Sequence, residues 1–557
     1  MYLSVIPLKF DYYFLKLMIK IEVFLYLRVK SMTIPFYIQK NENLLYLENQ
    51  HMMKWSCNHL IYSLEAHVVT QPMKYERAIV IGGGITGMLA AKVLSSFYLE
   101  VLIIEKDELP DSPENRLGTP QAFHPHRMLP LGKQIVERLF PGYTKELLEM
   151  GGYNTWHQTS RFLTKDGELV LTDTEETAVT RRAMLEWVLM QRMLREERVQ
   201  FLEKHEAIAL LFEEETTKVS GLQVKDRRIK PGIINKMSAD IVIDTSGRMS
   251  KLPKWLKSAG RTLPQTDELI VSLGYSTRYY QIPPEAPNLE PMVIVGQPNK
   301  KIPTGLFERV DHDLVAVLLS AAGGSHYPTT DADQFDAETA RLTNPSIAEA
   351  ITHLIPYTKP KGFRVPACVR NHYEQMEDWP SGLLVMGDAL CTLDPIHGQG
   401  MTKAALEAQT LERMLKQAQE NELISFERHT LQQMQHANEL GWWLCAIADM
   451  AWEGVELKGT PIPHLTFVQE FFNYYVQYAV QTKQTKYLEA YHRMHSFLIE
   501  PRNIINLEQL QDMIQADSTG EVGHWWQRWD QKNDELNQAF FYEAVPDFQL
   551  HQLLKST

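Results

Sequence analysis

Ala78-Ile79-Val80-Ile81-Gly82-Gly83-Gly84-Ile85-Thr86-Gly87-Met88-Leu89 is a short apolar run closed by three glycines, and it passes directly into apolar residues at helical spacing, Ile85, Met88, Leu89 and Val93. Val101-Leu102-Ile103-Ile104 is a second apolar run of strand length. The order strand, glycine turn, helix, strand predicts a right-handed parallel crossover. In Gly82-x-Gly84-x-x-Gly87 the three glycines have separate uses: a tight turn, backbone approach to a pyrophosphate, and close packing of helix on strand. The helix N-terminus then faces the phosphates. Glu105 ends the second strand, near the distance expected for a carboxylate that accepts hydrogen bonds from an adenosine ribose. A bound dinucleotide is therefore the expectation.

Outward from this unit the period changes. Between Arg161 and Arg228 the segments are strand-like, with Asp166-Gly167 as a hairpin turn between Arg161-Phe162-Leu163 and Leu169-Val170-Leu171, and a helix from about Arg182 to Glu197 interrupts them. Ile241-Val242-Ile243 reads as another buried strand. From about Thr262 to Trp379 short strands with many Pro and Gly turns predict a separate, mostly antiparallel lobe. Leu383-Leu384-Val385-Met386 restores a parallel-type strand, followed by a helix from Met401 to about Gln417. The expected organisation is an extension over 1–72, a discontinuous nucleotide domain over 73–261 (with a strand insertion at about 155–228) that closes over 381–425, a β lobe over 262–380, and a helical, tryptophan-rich region over 426–557.

Composition narrows the function classes. With 557 residues, 44% of them hydrophobic, the chain can bury a sizeable core, and a formal charge of −13 offers no broad attraction to nucleic acid or anionic lipid. Cys57, Cys368, Cys391 and Cys445 are too scattered for a zinc motif or a disulfide framework, so a cytoplasmic setting is expected. In the first seventy residues Lys9, Asp11, Lys16, Lys20, Glu22 and Arg28 break every apolar run short of a membrane span, and no signal-peptide cleavage pattern follows. Lys16 and Lys20 fit an ordinary helix better than an interfacial one. Met73, immediately ahead of the strand, is the expected native start, and an N-terminal mass retaining Met1 would exclude that.

A second, distant motif specifies the dinucleotide: Gly387-Asp388-Ala389, then Pro395, then Gly398-Gln399-Gly400-Met401 opening a long helix. It resembles the second FAD-binding signature of the class A flavoprotein monooxygenase superfamily. The resemblance implies that Asp388 holds the ribityl chain and that the backbone from Gly398 to Met401 lies against the flavin pyrimidine edge, where a helix N-terminus stabilises negative charge on reduced flavin. Arg116-Leu-Gly-Thr-Pro-Gln121 with His124-Pro-His126, Arg182-Ala-Met-Leu-Glu186, and Asp240 to Ser250 are similar to segments of a subgroup that includes polyether-type epoxidases. On that basis Arg116 and Arg182 join Gly82, Gly84, Gly87, Glu105, Asp388, Pro395, Gly398, Gln399, Gly400 and Met401 as expected cofactor contacts. The implied fold is α/β, a Rossmann-like FAD-binding domain of ββα three-layer type with an inserted antiparallel substrate lobe.

The chain also departs from the superfamily. Ser246-Gly247 replaces the usual Asp-Gly pair, which bears on reduction by NADPH or NADH, and Cys391 stands where aromatic hydroxylases carry His. The Trp-x-Trp-x-Ile-Pro signature of tryptophan halogenases is absent. His124 and His126 lack a further ligand at metal spacing and are expected to pack near the cofactor, with no metal bound. His397, just before the Gly-Gln-Gly turn, is the candidate catalytic acid, base or polar anchor, and Tyr275 and Arg364 are candidates for the cavity wall.

The implied activity is insertion of one oxygen atom, as hydroxyl or epoxide, into a lipophilic or aromatic small molecule through a flavin C4a-hydroperoxide. NADPH or NADH, or a separate flavin reductase, would supply the electrons, and molecular oxygen the atom transferred. The alternatives are a reductase, dehydrogenase or cyclase of polyprenoid-type substrates without oxygen transfer, and a non-catalytic carrier on the same fold. The intact glycine, Glu105 and Asp388 positions argue against the carrier.

Overall fold

A computed structural model describes residues 75–554 apart from 117, 215–216 and 421–424, and ahead of them the strands Phe24–Val29, Met32–Tyr37 and Tyr46–Leu47, which form an antiparallel sheet of their own. The expectations for a helix over Lys16 and Lys20 and for the start at Met73 lie outside the described residues.

Five strands form the central sheet: β1 (Tyr75–Ile81), β2 (Tyr98–Ile104), β3 (Val199–Leu202), β4 (Ile241–Asp244) and β5 (Leu383–Val385). Their spatial order is 3-2-1-4-5 and every pairing is parallel. Both faces of such a sheet are covered, which is why its inner strands are continuous apolar runs and not alternating ones. Ala78, Ile79 and Val80 are fully buried. One face carries the helices α1 (Ile85–Leu94) and α2 (Gly400–Glu420), which pack on each other. The other carries an antiparallel sheet of His205–Phe212, Val219–Asp226 and Ile233–Ser238, giving the ββα layering.

The substrate lobe is an eight-stranded sheet running Ile355–Pro356, Leu273–Gln281, Leu314–Ala321, Thr304–Arg309, Met292–Ile294, Thr159–Thr164, Gly167–Thr172, with Lys361–Val365 also paired to Leu273–Gln281. All neighbours are antiparallel except Met292–Ile294 with Thr159–Thr164. The hairpin turning at Asp166-Gly167 is thus a correction to the sequence reading: it belongs to this sheet and not to the nucleotide domain, because strand pairing is set by partners far along the chain. The lobe also contains two helices, Ala332–Thr339 and Ser346–Ile351, that the Pro and Gly pattern hid.

The C-terminal region opens with α3 (Phe426–Asp449) and continues in shorter helices. Phe467, Phe471, Trp525 and Phe541 are buried in the same core as the sheet strands, and the rings of Phe467 and Trp525 stack at 5.7 Å. Each such side chain contributes about 1.5–3 kcal/mol by leaving water. The helical region therefore completes the nucleotide domain's core instead of forming a body apart.

His372 ties two distant segments of the 262–380 region together: Nε2 faces the Asp267 carboxylate at 2.9 Å and Nδ1 that of Glu374 at 2.8 Å. Hydrogen bonds to Asp267 and Glu374 hold the imidazolium up to about 9 from 6.5. A raised pKa means that this stabilisation is complete below 6.5 and is lost as pH rises through about 9. Thermal melts of the wild type should therefore lose about 1–2 kcal/mol between pH 7 and 10 that His372→Gln does not, after discounting for solvent screening.

Candidate functional site

The site begins at the carboxyl ends of β1, β2, β4 and β5. Gly82 takes φ +100°, and its N–H donates to the Ile104 carbonyl at 2.9 Å. A Cβ on Gly87 would stand 1.9 Å from the Gly82 carbonyl oxygen and 2.9 Å from Thr245 Oγ1, so this glycine is required for helix α1 to lie on the turn. Gly84 caps α1 without any side-chain hydrogen bond, which leaves the first amides of the helix turned to the groove. The nearest heavy atom to a Cβ there is Arg116 Nη2, at 3.9 Å.

Glu105 is buried at the end of β2. Its Oε2 accepts from the Gly83 N–H at 2.8 Å and from Arg116 Nη1 at 3.1 Å, and its Oε1 accepts from the Asp107 N–H at 2.9 Å. Arg116 Nε also donates to Glu186 Oε1 at 2.8 Å, and Arg182 Nε reaches Glu186 Oε2 at 3.3 Å. Arg116 is thus held between two buried carboxylates across the groove, and although burial acts against its charge, Glu186 and Glu105 raise its pKa overall. Arg182 is likewise drawn to Glu186, one turn along its own helix. Beside them lies a cavity of about 520 Å³ lined by Leu109, Pro110, Met190, Gln200, Phe201 and Glu203. A small crevice lined by Gly83, Arg116 and Glu186 shares Leu109, Pro110 and Met190 with it.

The second segment meets the first at Gly387, where φ is +66° and a Cβ would lie 2.6 Å from Thr86 Oγ1 in the first turn of α1. Asp388 follows on this turn, exposed, with no hydrogen bond to another described residue. What holds the turn is a buried network missed by the sequence reading. Glu407 accepts from the Gly387 N–H at 2.5 Å and from Asn438 Nδ2 at 2.8 Å, while Lys403 Nζ donates to the Cys391 carbonyl at 2.6 Å and lies 3.4 Å from Glu407. Lys403 and Glu407 are wholly buried, and Glu407 offsets the burial of the ammonium so that Lys403 stays charged. The only sequence signal was the Lys-x-x-x-Glu spacing, which on most helices marks a solvent-exposed pair.

Asp394 Oδ1 accepts from the Ile396 N–H at 2.9 Å and so caps the turn Pro395–His397. Gly398 follows with φ +66°, and a Cβ on Gly398 or Gly400 would meet nothing within 4 Å. Gln399 and Met401 point inward: Gln399 Nε2 donates to the His495 carbonyl at 3.1 Å and Oε1 faces Cys445 Sγ at 3.6 Å. Only the backbone of these two residues is presented to the groove. His397, the candidate catalytic residue, has its Nε2 engaged by Asp449 Oδ1 at 3.0 Å.

His124 Nδ1 meets Thr277 Oγ1 at 2.8 Å, and its ring packs edge-on to Tyr275 at 4.5 Å, with Phe363 against both rings. Burial, with Lys361 second, holds His124 down to about 3, and burial with Arg182 does the same for His126, so both are neutral. Tyr275 thus lies in an aromatic seam between lobe and nucleotide domain, whereas Arg364 stacks on Tyr327 at 4.2 Å. Asp244 ends β4 within the Asp240 to Ser250 segment, and its part in holding that segment was not read from the sequence. It accepts from the Ser246 N–H at 2.9 Å, from Ser246 Oγ at 2.6 Å and from Ser250 Oγ at 2.5 Å, which gives Ser246 a fixed structural role.

Glycine turns, uncapped amides, a buried carboxylate and an open backbone cradle thus converge on one groove, and they fit a dinucleotide with a planar ring system. The FAD binding domain family matches over residues 75–437. The chain is 30% identical to Protein Rv3254 of Mycobacterium tuberculosis over 354 residues, 61% of this chain and 73% of that one. Among solved structures, the flavin-dependent brominase Bmp2 superposes with a TM-score of 0.54 at 13% identity, over 82% of this chain and 99% of that one. PqsL of Pseudomonas aeruginosa superposes with a TM-score of 0.50 at 14% identity, over 74% and 99%. With its family matched across both cofactor segments, the chain belongs to the FAD binding domain family and is an FAD-dependent oxidoreductase with the fold of the class A flavoprotein monooxygenases.

Proposed function

We propose that the protein is a monooxygenase that inserts one oxygen atom, by hydroxylation or epoxidation, into a lipophilic or aromatic small molecule. The observation that carries this reading is the meeting of the two cofactor segments at Gly387 and Thr86, with space left open over Gly398 and Gly400. FAD, when bound, supplies the redox and oxygen chemistry. The chain's own residues bind and orient it. The first amides of α1 receive the pyrophosphate, Glu105 receives the adenosine ribose, and Asp388 receives ribityl hydroxyls. Arg116 and Arg182 offset the charges of Glu105 and Glu186, so that no net negative charge stands beside the phosphates. The backbone from Gly398 to Met401 donates to the flavin edge where negative charge develops on reduction. The seam of Phe123, His124, Tyr275 and Phe363 keeps water from the ring. The likeness to PqsL, described as a probable FAD-dependent monooxygenase, supports this assignment. Among the described residues no helix is long and apolar enough to cross a membrane.

Two measurements test the reading. Asp388→Ala should weaken FAD binding about tenfold or more, since it removes a charged acceptor from sugar hydroxyls; unchanged flavin content of the purified variant would refute the role. Anaerobic addition of NADPH or NADH should bleach the flavin band, and turnover in labelled dioxygen should place label in the product. A band that bleaches only with a reductase present assigns electron delivery to that partner. Product without label would replace oxygen insertion by a reductase, dehydrogenase or cyclase activity.

A further inference from the structure

Directly behind the Gly-Gln-Gly cradle, Asp394, His397 and Asp449 bring one ligand atom each to within 4.8 Å of one another. Asp394 is fully buried and Asp449 is 3% exposed. One oxygen of each is spoken for: Asp394 Oδ1 by the Ile396 N–H, Asp449 Oδ1 by His397 Nε2 at 3.0 Å. The other oxygen of each, Asp394 Oδ2 and Asp449 Oδ2, is buried with no partner among the described residues. Two unpartnered carboxylate oxygens in one apolar pocket cannot both stay charged, because a single imidazolium neutralises only one carboxylate. One additional proton satisfies both oxygens and brings the group to zero net charge.

We propose that Asp394 and Asp449 share an acidic proton beside the His397 imidazolium, and that this proton-holding unit positions the Pro395–Gly400 turn against the flavin edge. Asp394 caps the turn at its start, and His397 lies just before Gly398 at its end, so both ends are tied to Asp449 on α3. The other titratable groups facing the unit are Tyr275 from the substrate sheet, Cys368, Cys445 from α3 and His495 from the C-terminal helices. Burial drives Tyr275 and these two thiols up and His495 down to about 3, so all four are neutral. Neighbouring Asp449 holds His397 up to about 9 despite burial, and burial beside Asp449 raises Asp394. The positioning half of the proposal rests on the flavin reading, whereas the shared proton does not.

The test uses the full chain as purified. Infrared spectra of wild type, Asp394→Asn and Asp449→Asn are recorded in water and in deuterium oxide at neutral pH. In the wild-type-minus-variant differences the bands of other buried carboxyls, such as Glu308, cancel. A deuterium-sensitive carboxylic-acid carbonyl band is expected in wild type and lost in Asp394→Asn, which keeps the acceptor for Ile396 and offers an N–H to Asp449. Unchanged spectra in both variants show two ionised carboxylates and overturn the proposal, as does a stoichiometric divalent cation released by acid from wild type. In the second arm FAD affinity is titrated against pH. Wild type should lose about tenfold above pH 9, the worth of one charge-assisted hydrogen bond, while His397→Gln should bind weakly and evenly across the range. Equal, pH-independent affinities overturn the positioning role. A protein that binds no flavin under any condition fails the flavin reading alone, since the infrared arm still reports the proton.

Discussion

Gly87→Ala is expected to yield a protein that purifies without flavin and is destabilised by about 3 kcal/mol, the upper end of what overpacking costs. The added methyl would stand 1.9 Å from a backbone carbonyl, that of Gly82, and not from the end of a flexible side chain, so relief requires moving β1 or α1. Either movement opens the turn that presents the amides to phosphate. Gly400→Ala makes the contrasting case. No described residue comes within 4 Å of its methyl, so denaturant unfolding of the apoprotein should be unchanged while FAD affinity falls, because the methyl enters the space the ring edge would use. Absorbance of bound flavin per chain and urea midpoints distinguish the two outcomes, and equal behaviour of the two variants would show that the glycines do not have the separate roles assigned here.

Lys403→Met is the second substitution with a large expected effect, a loss of about 3–5 kcal/mol, the cost of leaving one member of a buried ion pair without its partner. Methionine matches the length of the lysine stem, so packing is nearly conserved and the loss reports charge. Glu407 is left as an unneutralised carboxylate in the core, and the Cys391 carbonyl loses its donor. The double variant Lys403→Met with Glu407→Gln should recover part of the stability, because the neutral amide still accepts from the Gly387 N–H without carrying charge. FAD should bind more weakly in the single variant, since the turn bearing Asp388 rests on this network. A single variant as stable as wild type would exclude the network as a support.

The contrast between these two sites explains what the sequence made legible. Gly82, Gly84, Gly87 and Glu105 are read within one short stretch because a turn, a helix start and a strand end are local events with local residue requirements. The parallel strands were readable for the same reason, as apolar runs between punctuating glycines. Asp449 was not, because its importance depends on α3 carrying it back to a loop 52 positions earlier. Lys403 and Glu407 were visible as a pair but not as a buried pair, since burial is decided by what packs over α2. Likewise the hairpin over 159–172 showed its own turn clearly while giving no sign that its partner strand would be Met292–Ile294. Gln399 showed its place in the motif, but the inward direction of its side chain follows from contacts with His495 and Cys445.

The 3-2-1-4-5 strand order has a consequence for how the protein is made. β1 is synthesised early, yet one of its edges waits for Ile241–Asp244 and the sheet is finished only when Leu383–Val385 arrives, after the whole substrate lobe has been translated. The core that covers this sheet draws on residues as late as Leu553. A nascent chain therefore carries unpaired, strongly apolar strand edges through most of translation, the condition under which long-range parallel sheets fold slowly and aggregate readily. Cofactor loading is accordingly a late event in the life of the polypeptide, and yield in a heterologous host should depend more on chaperone capacity and slow growth than on flavin supply.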